Sequence, residues 1–488
     1  MTSPLPPPPP EVDYGRKWLV MITISVGVIL ATIDGSIVNV AFPTLVDELG
    51  TTFNAIQWVA LGYLLTIATL TLGVGRLGDI VGKKRIYTAG FSVFTIASML
   101  CGLAPGVGWL IGFRVVQGLG SVMILALGAA ILTEAFPPTE RGRALGLIGT
   151  AVSIGIITGP VVGGLLISTF GWRAIFFVNL PIGILGTLLA LRHVPNTRPV
   201  GGQTFDFLGA GLLSASLFSV SLALTLGQDL GFRSPPILTG FAVAMVSAVA
   251  FVAVERRAAS PMVRLDLFRD PRLSVGVTTG FLVFSALSAT FLLLPFYLEG
   301  VLGFDVREVG LLLGAAPLVV GIAAPLSGNL SDRVGVKPLT VAGLAILTVT
   351  FFGFLTLDID TGVLGYLVLA IPVGLGVGVF QSPNNSAIMG AVPREYSGVA
   401  GGLLTLTRLL GQIWGIAVLG SVWAARVAGH AGGAVAGGDP SSAPPAAQVA
   451  GIHDTFVVVA GIMLLALAIG VWGLRRESRP LALVPDPA

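Results

Sequence analysis

Long apolar runs separated by short polar connectors fill this chain from residue 18 almost to its end. A helix needs about 20 apolar residues to cross the hydrocarbon layer of a bilayer. By that measure spans fall near 18–42, 54–74, 85–103, 107–135, 143–169, 172–192, 206–227, 236–255, 273–298, 308–330, 338–357, 362–390, 396–425 and 455–474. Only 10% of the 488 residues are charged, against roughly a quarter in soluble domains. So few charges cannot cover a water-facing surface, so most of the surface must face lipid. The expected fold class is therefore all-α, a polytopic membrane protein of fourteen transmembrane helices. The 66 glycines do not argue against helix. In lipid the backbone must bond to itself, and small residues let helices approach closely. The first apolar run, after Arg16 and Lys17, is too long for a signal peptide and lacks a small-residue cleavage site. It is read as a retained helix behind a Pro-rich cytoplasmic tail, 1–17.

The basic residues set the expected orientation. With the N-terminus in the cytoplasm, 21 of the 27 Lys and Arg fall in inner segments and 4 in outer ones; Arg114 and Arg408 lie inside spans. This bias places both termini in the cytoplasm and favours an even number of spans. The segment 258–272 is an inner basic loop, and 427–453 is a flexible outer loop rich in Gly, Ala, Pro and Ser.

An internal repeat divides the chain. GRLGDIVGKKR starts at Gly75, and GNLSDRVGVKP starts at Gly328. Gly75, Leu77, Asp79, Gly82 and Lys84 recur as Gly328, Leu330, Asp332, Gly335 and Lys337, every pair offset by the same number of residues. Duplicated halves related by an axis along the membrane normal are a transporter design. The second span matches the tenth, so the offset is eight helices where a plain six-plus-six duplication would give six. Two helices must be inserted between the halves. The expected organisation is a bundle at 18–200, a linker pair at 201–257, a loop at 258–272, a second bundle at 273–475 and a tail at 476–488. A carboxylate at a helix end, such as Asp79 or Asp332, can meet the positive end of a neighbouring helix and pair with nearby cations. Lys83, Lys84, Arg85, Arg333 and Lys337 supply those cations, and the loops are candidate gates between the halves.

These loops resemble the cytoplasmic signature of the major facilitator superfamily. Ile80 departs from it, standing where a basic residue is usual; the second copy keeps that residue as Arg333. The resemblance implies two six-helix bundles that alternate access to a central site.

Asp34, deep in the first span, is the most informative residue. An ionisable side chain there is costly and is a functional hypothesis by default. Apolar surroundings disfavour the charged carboxylate, so such a group can exchange a proton; a cationic substrate is a second possible partner. Arg114 in the fourth span lies at a similar depth, about 12 Å below the outer surface, and is the expected partner. The stretch GFRVVQGLG resembles the superfamily's fourth-helix motif, which links its arginine to proton transfer. That role carries over to Arg114, with Gln117 and Gly118 beside it. The stretch from Gly155 to Gly164 resembles the motif associated with antiporters, carried here by Gly155, Gly159, Pro160, Gly163 and Gly164. Physically, the proline bends the helix and the glycines make a flat packing face. WRAIFFVNLPIG after Gly171, SPMVRLDLF after Ala259 and LPFYLEGVLGF after Leu293 resemble the fourteen-helix drug:proton antiporters. Glu299 departs from that pattern, where Gln is usual; it is either a second protonation site or a solvated helix end. Asn39, Tyr63, Tyr297, Gln381, Asn384, Asn385 and Arg408 are candidate cavity-lining residues.

The expected function is proton-coupled efflux of amphipathic or cationic compounds. Uptake of a small metabolite and lipid handling are the alternatives. An enzyme is not expected: no serine–histidine set, His-Glu-x-x-His or Walker loop is present. Cys101 is the single cysteine, and His193, His430 and His453 are scattered, so neither a metal nor a cofactor is expected. The basic residues sit in short loops, which gives no reason to expect a nucleic-acid partner. The expected partners are small-molecule substrates, protons and the bilayer, with the protein acting as a monomer in the cell membrane.

Overall fold

The computed structural model describes residues 14–137, 140–196, 207–257, 265–392, 397–432 and 439–475. Most of the Pro-rich leader, residues 201–206, the first half of the basic loop and the tail 476–488 lie outside these. No strand occurs among the described residues.

Every expected span coincides with a helix. The first six are α1 Lys17–Val40, α2 Phe53–Val81, α3 Lys83–Gly102, α4 Val107–Ala135, α5 Arg141–Phe170 and α6 Asn179–His193. The next two, at the positions expected for an inserted pair, are α7 Phe207–Leu230 and α8 Pro235–Glu255. The last six are α9 Pro271–Phe296, α10 Val306–Val334, α11 Val336–Gly353, α12 Val363–Gly390, α13 Ser397–Trp414 and α14 Pro445–Arg475. A π-helical turn, Gly415–Leu419, carries α13 on into a helix at Gly420–His430. Eleven of these segments are long and apolar enough to cross a membrane, by length and composition. In α5 and α7 the apolar stretches are shorter, Ile154–Phe170 and Leu208–Leu224. The outer surface is apolar in the manner of a lipid-facing bundle, with Leu364 76% exposed and Val349 73% exposed.

Helix ends follow their sequences. The Thr52 hydroxyl caps α2 by accepting from the Ala55 N–H. Asp305 and Glu308 form a reciprocal capping box at the start of α10. Two boundaries differ from expectation. α2 and α10 run on through most of their signature loops to Val81 and Val334. α14 begins at Pro445, inside what reads as a flexible outer loop. The physical reason is local. Pro445 suits a first helical turn, and the Gln448 amide donates to the carbonyls of Ser441 and Ala443, tying the incoming chain down.

The repeat is visible in the packing. In the first half α1 packs on α5, α2 on α4, α3 on α4 and α6, and α1 on α6. Advancing each helix by eight gives α9 on α13, α10 on α12, α11 on α12 and α14, and α9 on α14, and these pairs pack as well. The halves meet along two seams, α5 against α10 and α2 against α13, which exchange under the same relation. The inserted α7 packs on α8 and lies over the α2/α13 seam. Its Ser214 hydroxyl reaches the Thr69 carbonyl of α2 at 3.4 Å, and the Ser421 hydroxyl from beyond α13 reaches the Leu224 carbonyl of α7 at 3.4 Å.

The breaks after α2 and α10 fall on equivalent glycines. Gly82 has φ +108° and Gly335 has φ +96°, a region that side chains rarely adopt. Gly82→Ala and Gly335→Ala are each expected to cost about 1–3 kcal/mol, read as a lower unfolding temperature of the purified protein. Gly461→Ala in α14 is the control, because a Cβ there meets nothing within 4 Å; an equal loss in all three would remove the backbone explanation.

Candidate functional site

Five helices of the first half converge on Asp34. It lies six residues before the end of α1, and Arg114 lies seven residues into α4, so both sit about 9–10 Å inside the bundle. Asp34 is 0% exposed and Arg114 1% exposed. An Arg114 guanidinium nitrogen, Nη1, donates to Asp34 Oδ2 at 2.5 Å. Asp34 Oδ1 accepts from Gln117 Nε2 at 2.7 Å and from Asn179 Nδ2 at 2.8 Å. Arg114 and Gln117 are three residues apart and share one helix face. Arg114 Nη1 also donates to Gln117 Oε1 at 2.8 Å, which closes the triangle.

The outer ring holds this triangle in place. Arg114 Nε donates to the Val59 carbonyl of α2 at 3.1 Å. The Arg114 guanidinium lies over the Tyr63 ring, 4.1 Å from its centroid, a cation–π contact strengthened by burial. The Tyr63 hydroxyl donates to the Ala31 carbonyl at 3.1 Å and shares a 2.7 Å bond with Ser121. Asn179 Nδ2 also donates to Ser98 Oγ at 3.0 Å, and Ser98 donates to the Phe176 carbonyl at 2.8 Å. A buried ion pair is stable only when its remaining lone pairs and protons are satisfied. Here Asp34 accepts three charge-assisted or amide bonds.

The glycine face of α5 joins this site to the seam between the halves. Gly155, Gly159 and Gly163 face Thr32, Ser36 and Ile37 of α1, on either side of Asp34. Ser36 donates to the Gly155 carbonyl at 3.2 Å. Gly164, one residue on, faces α10: a Cβ there would stand 2.6 Å from the Val306 carbonyl oxygen. The reciprocal position is Gly310, where a Cβ would stand 2.5 Å from the Pro160 carbonyl oxygen. This contact lies at the end of the bundle where α1 finishes. At the same end Phe53 of α2 packs against Phe296 and Trp423 of the second half, with centroids 5.1 and 4.6 Å apart.

The opposite end carries the signature loops. Lys83 pairs with Glu134 at the end of α4, and Lys17 pairs with Glu140 at 2.6 Å. Gly75 and Gly328 are helical, Lys84 and Lys337 half-buried, and Arg85 and Arg333 exposed. The side chains of Asp79 and Asp332 lie outside the described residues.

The other candidates stand apart from the Asp34 network. Glu299 lies in a π-helical turn, Tyr297–Val301, and its Oε2 is buried with no hydrogen-bond partner among the described residues. The Tyr297 hydroxyl donates to the Asp358 carbonyl at 2.7 Å, a tie between helix ends. Asn384 is buried and donates to the Gly276 carbonyl of α9 at 3.1 Å. Asn39, Gln381, Asn385 and Arg408 are half-buried, and Arg408 makes no ion pair or hydrogen bond among the described residues. Sequence reasoning missed Asn179, Ser98 and Gln57. Asn179 has a visible signal, an amide within the apolar FFVNLPIG stretch. Gln57 is fully buried on α2, and neither amide atom has a hydrogen-bond partner among the described residues.

Comparisons with known proteins agree with this architecture. The riboflavin transporter RibZ of Clostridioides difficile is 35% identical over 82% of this chain and 87% of its own length. The multidrug resistance protein Stp of Mycobacterium tuberculosis is 34% identical over 82% of this chain and 75% of its own. The methylenomycin A resistance protein of Streptomyces coelicolor is 32% identical over 84% and 86%. Among solved structures, a bacterial homologue of the human lysosomal transporter Spinster superposes with a TM-score of 0.65, 15% identity and coverage of 94% of this chain and 97% of its own. Residues 24–416 match the family model described as Major Facilitator Superfamily, and the chain is a multi-pass membrane transporter belonging to that superfamily.

Proposed function

We propose that the protein exports amphipathic or cationic compounds across the cell membrane in exchange for protons. The observation that carries this reading is the buried Asp34–Arg114 pair with its Gln117 and Asn179 bonds. A carboxylate held this deep carries its charge at least cost while its partners surround it. Protonation releases the hold on Arg114, and a helix movement that separates α1 from α4 favours protonation; each event drives the other. The glycine face of α5 ties α1 to the seam with α10, which gives that movement a path to the opening and closing of the halves. In the reading, both termini are cytoplasmic and the signature loops are inner gates. Fourteen spans form two bundles of six with α7 and α8 between them, which the recurrence of packing at an offset of eight helices supports. One copy of the chain suffices for transport.

The names of the Stp and methylenomycin relatives favour export. The RibZ relative is named a riboflavin transporter, and it keeps movement of a metabolite as the second reading. Vesicles of known sidedness separate them. Accumulation of a cationic dye in inverted vesicles, driven by an imposed proton gradient and abolished by an uncoupler, is the expected result. Asp34→Asn is expected to abolish the gradient-driven component in protein that still folds, with Asp34→Glu retaining part of it. Gradient-independent transport, unchanged in Asp34→Asn, would refute proton coupling.

A further inference from the structure

A cavity of about 330 Å³ opens between the inserted pair and the second half. Its walls come from Leu217 of α7, Phe251 of α8, Phe268 of the short helical turn Leu265–Arg269, Phe281 of α9, and Leu406 and Leu410 of α13. The lining is almost wholly apolar, and no residue of the Asp34 network lines the cavity. One rim is different in kind. Arg269 follows Phe268 directly. Arg256 and Arg257 stand five and six residues beyond Phe251, about 8–9 Å along that part of the chain if it continues as helix. Arg272 opens α9, five residues before the cavity-lining Val277. Arg256, Arg257 and Arg269 are exposed. Arg272 is half-buried, and its Nε is buried with no hydrogen-bond partner among the described residues. The described carboxylates on this rim are Glu255 and Asp270, both buried. Asp270 is occupied in capping α9, accepting from the Arg272 N–H at 2.8 Å. Among the described side chains the accessible charge at the mouth is therefore positive, and the interior is hydrocarbon-like.

An apolar cleft under a cationic rim, at the end of a membrane-spanning bundle, matches one chemistry. We propose that it binds an anionic phospholipid of the adjacent leaflet. One acyl chain fills the cleft between α7, α8, α9 and α13, and the phosphate is held by Arg256, Arg257, Arg269 and Arg272. The Arg272 Nε then acquires the acceptor it lacks. Each arginine at the membrane surface contributes roughly a fivefold preference for an anionic lipid. A neutral lipid would fill the cleft but leave the rim unpaired, and a transported amphiphile would have to reach a cleft remote from Asp34.

The test is lipid retention by the full-length protein in micelles containing equal amounts of phosphatidylglycerol and phosphatidylcholine with the same chains, read by native mass spectrometry. The expected result is one phosphatidylglycerol retained well above phosphatidylcholine. The double substitution Arg257→Gln and Arg272→Gln is expected to weaken that retention by roughly twenty-fivefold. Leu217→Trp, which fills the cleft and leaves the rim intact, is expected to abolish it, with the unfolding temperature confirming that each variant is folded. Equal retention of the two lipids, or unchanged retention in the arginine variant, overturns the proposal. So does displacement of phosphatidylglycerol by a transported dye, which would make the cleft part of the transport path.

Discussion

Arg114→Gln is expected to destabilise the protein by about 3–5 kcal/mol, because it leaves the Asp34 carboxylate buried and uncompensated. Asp34 then keeps only the amide bonds from Gln117 and Asn179. Asp34→Asn strands the opposite charge. It leaves Arg114 with the Val59 carbonyl, the Gln117 amide oxygen and the Tyr63 ring, a milder loss because these partners remain. The double variant removes both charges from a low-dielectric site and is expected to be more stable than Arg114→Gln alone. A thermodynamic cycle of the four proteins, read by thermal unfolding, measures the coupling. Losses that add to within about 0.5 kcal/mol would mean that the two residues do not act as a pair. Transport is the second readout: all three variants are expected to lose the proton-driven component, including the double variant with restored stability. That separation of stability from coupling is what distinguishes a working site from a structural ion pair.

The second large effect concerns the α5/α10 seam. Gly164→Leu and Gly310→Leu place side chains where backbone already stands, against the Val306 and Pro160 carbonyls. Backbone cannot rotate away as a side chain can, so the seam must part. Overpacking of this kind costs about 1–3 kcal/mol, and here the cost falls on the closed state alone. The balance between closed and open forms is expected to shift by roughly five- to a hundredfold, with a matching fall in transport. Spin labels at Ser168 and Arg307, both exposed near the seam, report it: the distance between them is expected to lengthen in both variants. Gly321→Ala is the contrasting substitution, since its Cβ meets only the far end of the Ile157 side chain, 2.8 Å away. An unchanged label distance in Gly164→Leu would sever the glycine face from closure of this end.

Much of this was legible in the sequence because lipid imposes simple rules. Hydropathy located α1 to α14, since a spanning segment must be both apolar and hydrogen-bonded within itself. Depth along two helices was enough to pair Asp34 with Arg114. The repeat at Gly82 and Gly335 marked two left-handed breaks that only glycine adopts readily. What stayed hidden were contacts made by residues with an ordinary alternative role. Asn179 reads as a helix-end amide until α6 is seen to deliver it to Asp34. Tyr63 reads as a generic lining aromatic, yet it is the platform for the Arg114 guanidinium. Tyr297 and Asn384 read the same way and turn out to tie helices together. The start of α14 was hidden because Gly- and Ala-rich sequence describes a loose loop and a membrane helix equally well.

The placement of α7 has a consequence for leakage. Two halves that rock against each other must part along one seam as they close along another, and a parted seam in a bilayer is a side door through which an amphipathic cargo can slip back into lipid. On the α5/α10 side, backbone lies against backbone and leaves no such door. On the α2/α13 side, α7 stands across the gap, packed on α2 and within 3.4 Å hydroxyl contact of Thr69 on one side and Ser421 on the other. Contacts that long are readily traded for others one turn along, so α7 can stay in the doorway while the walls on either side of it move.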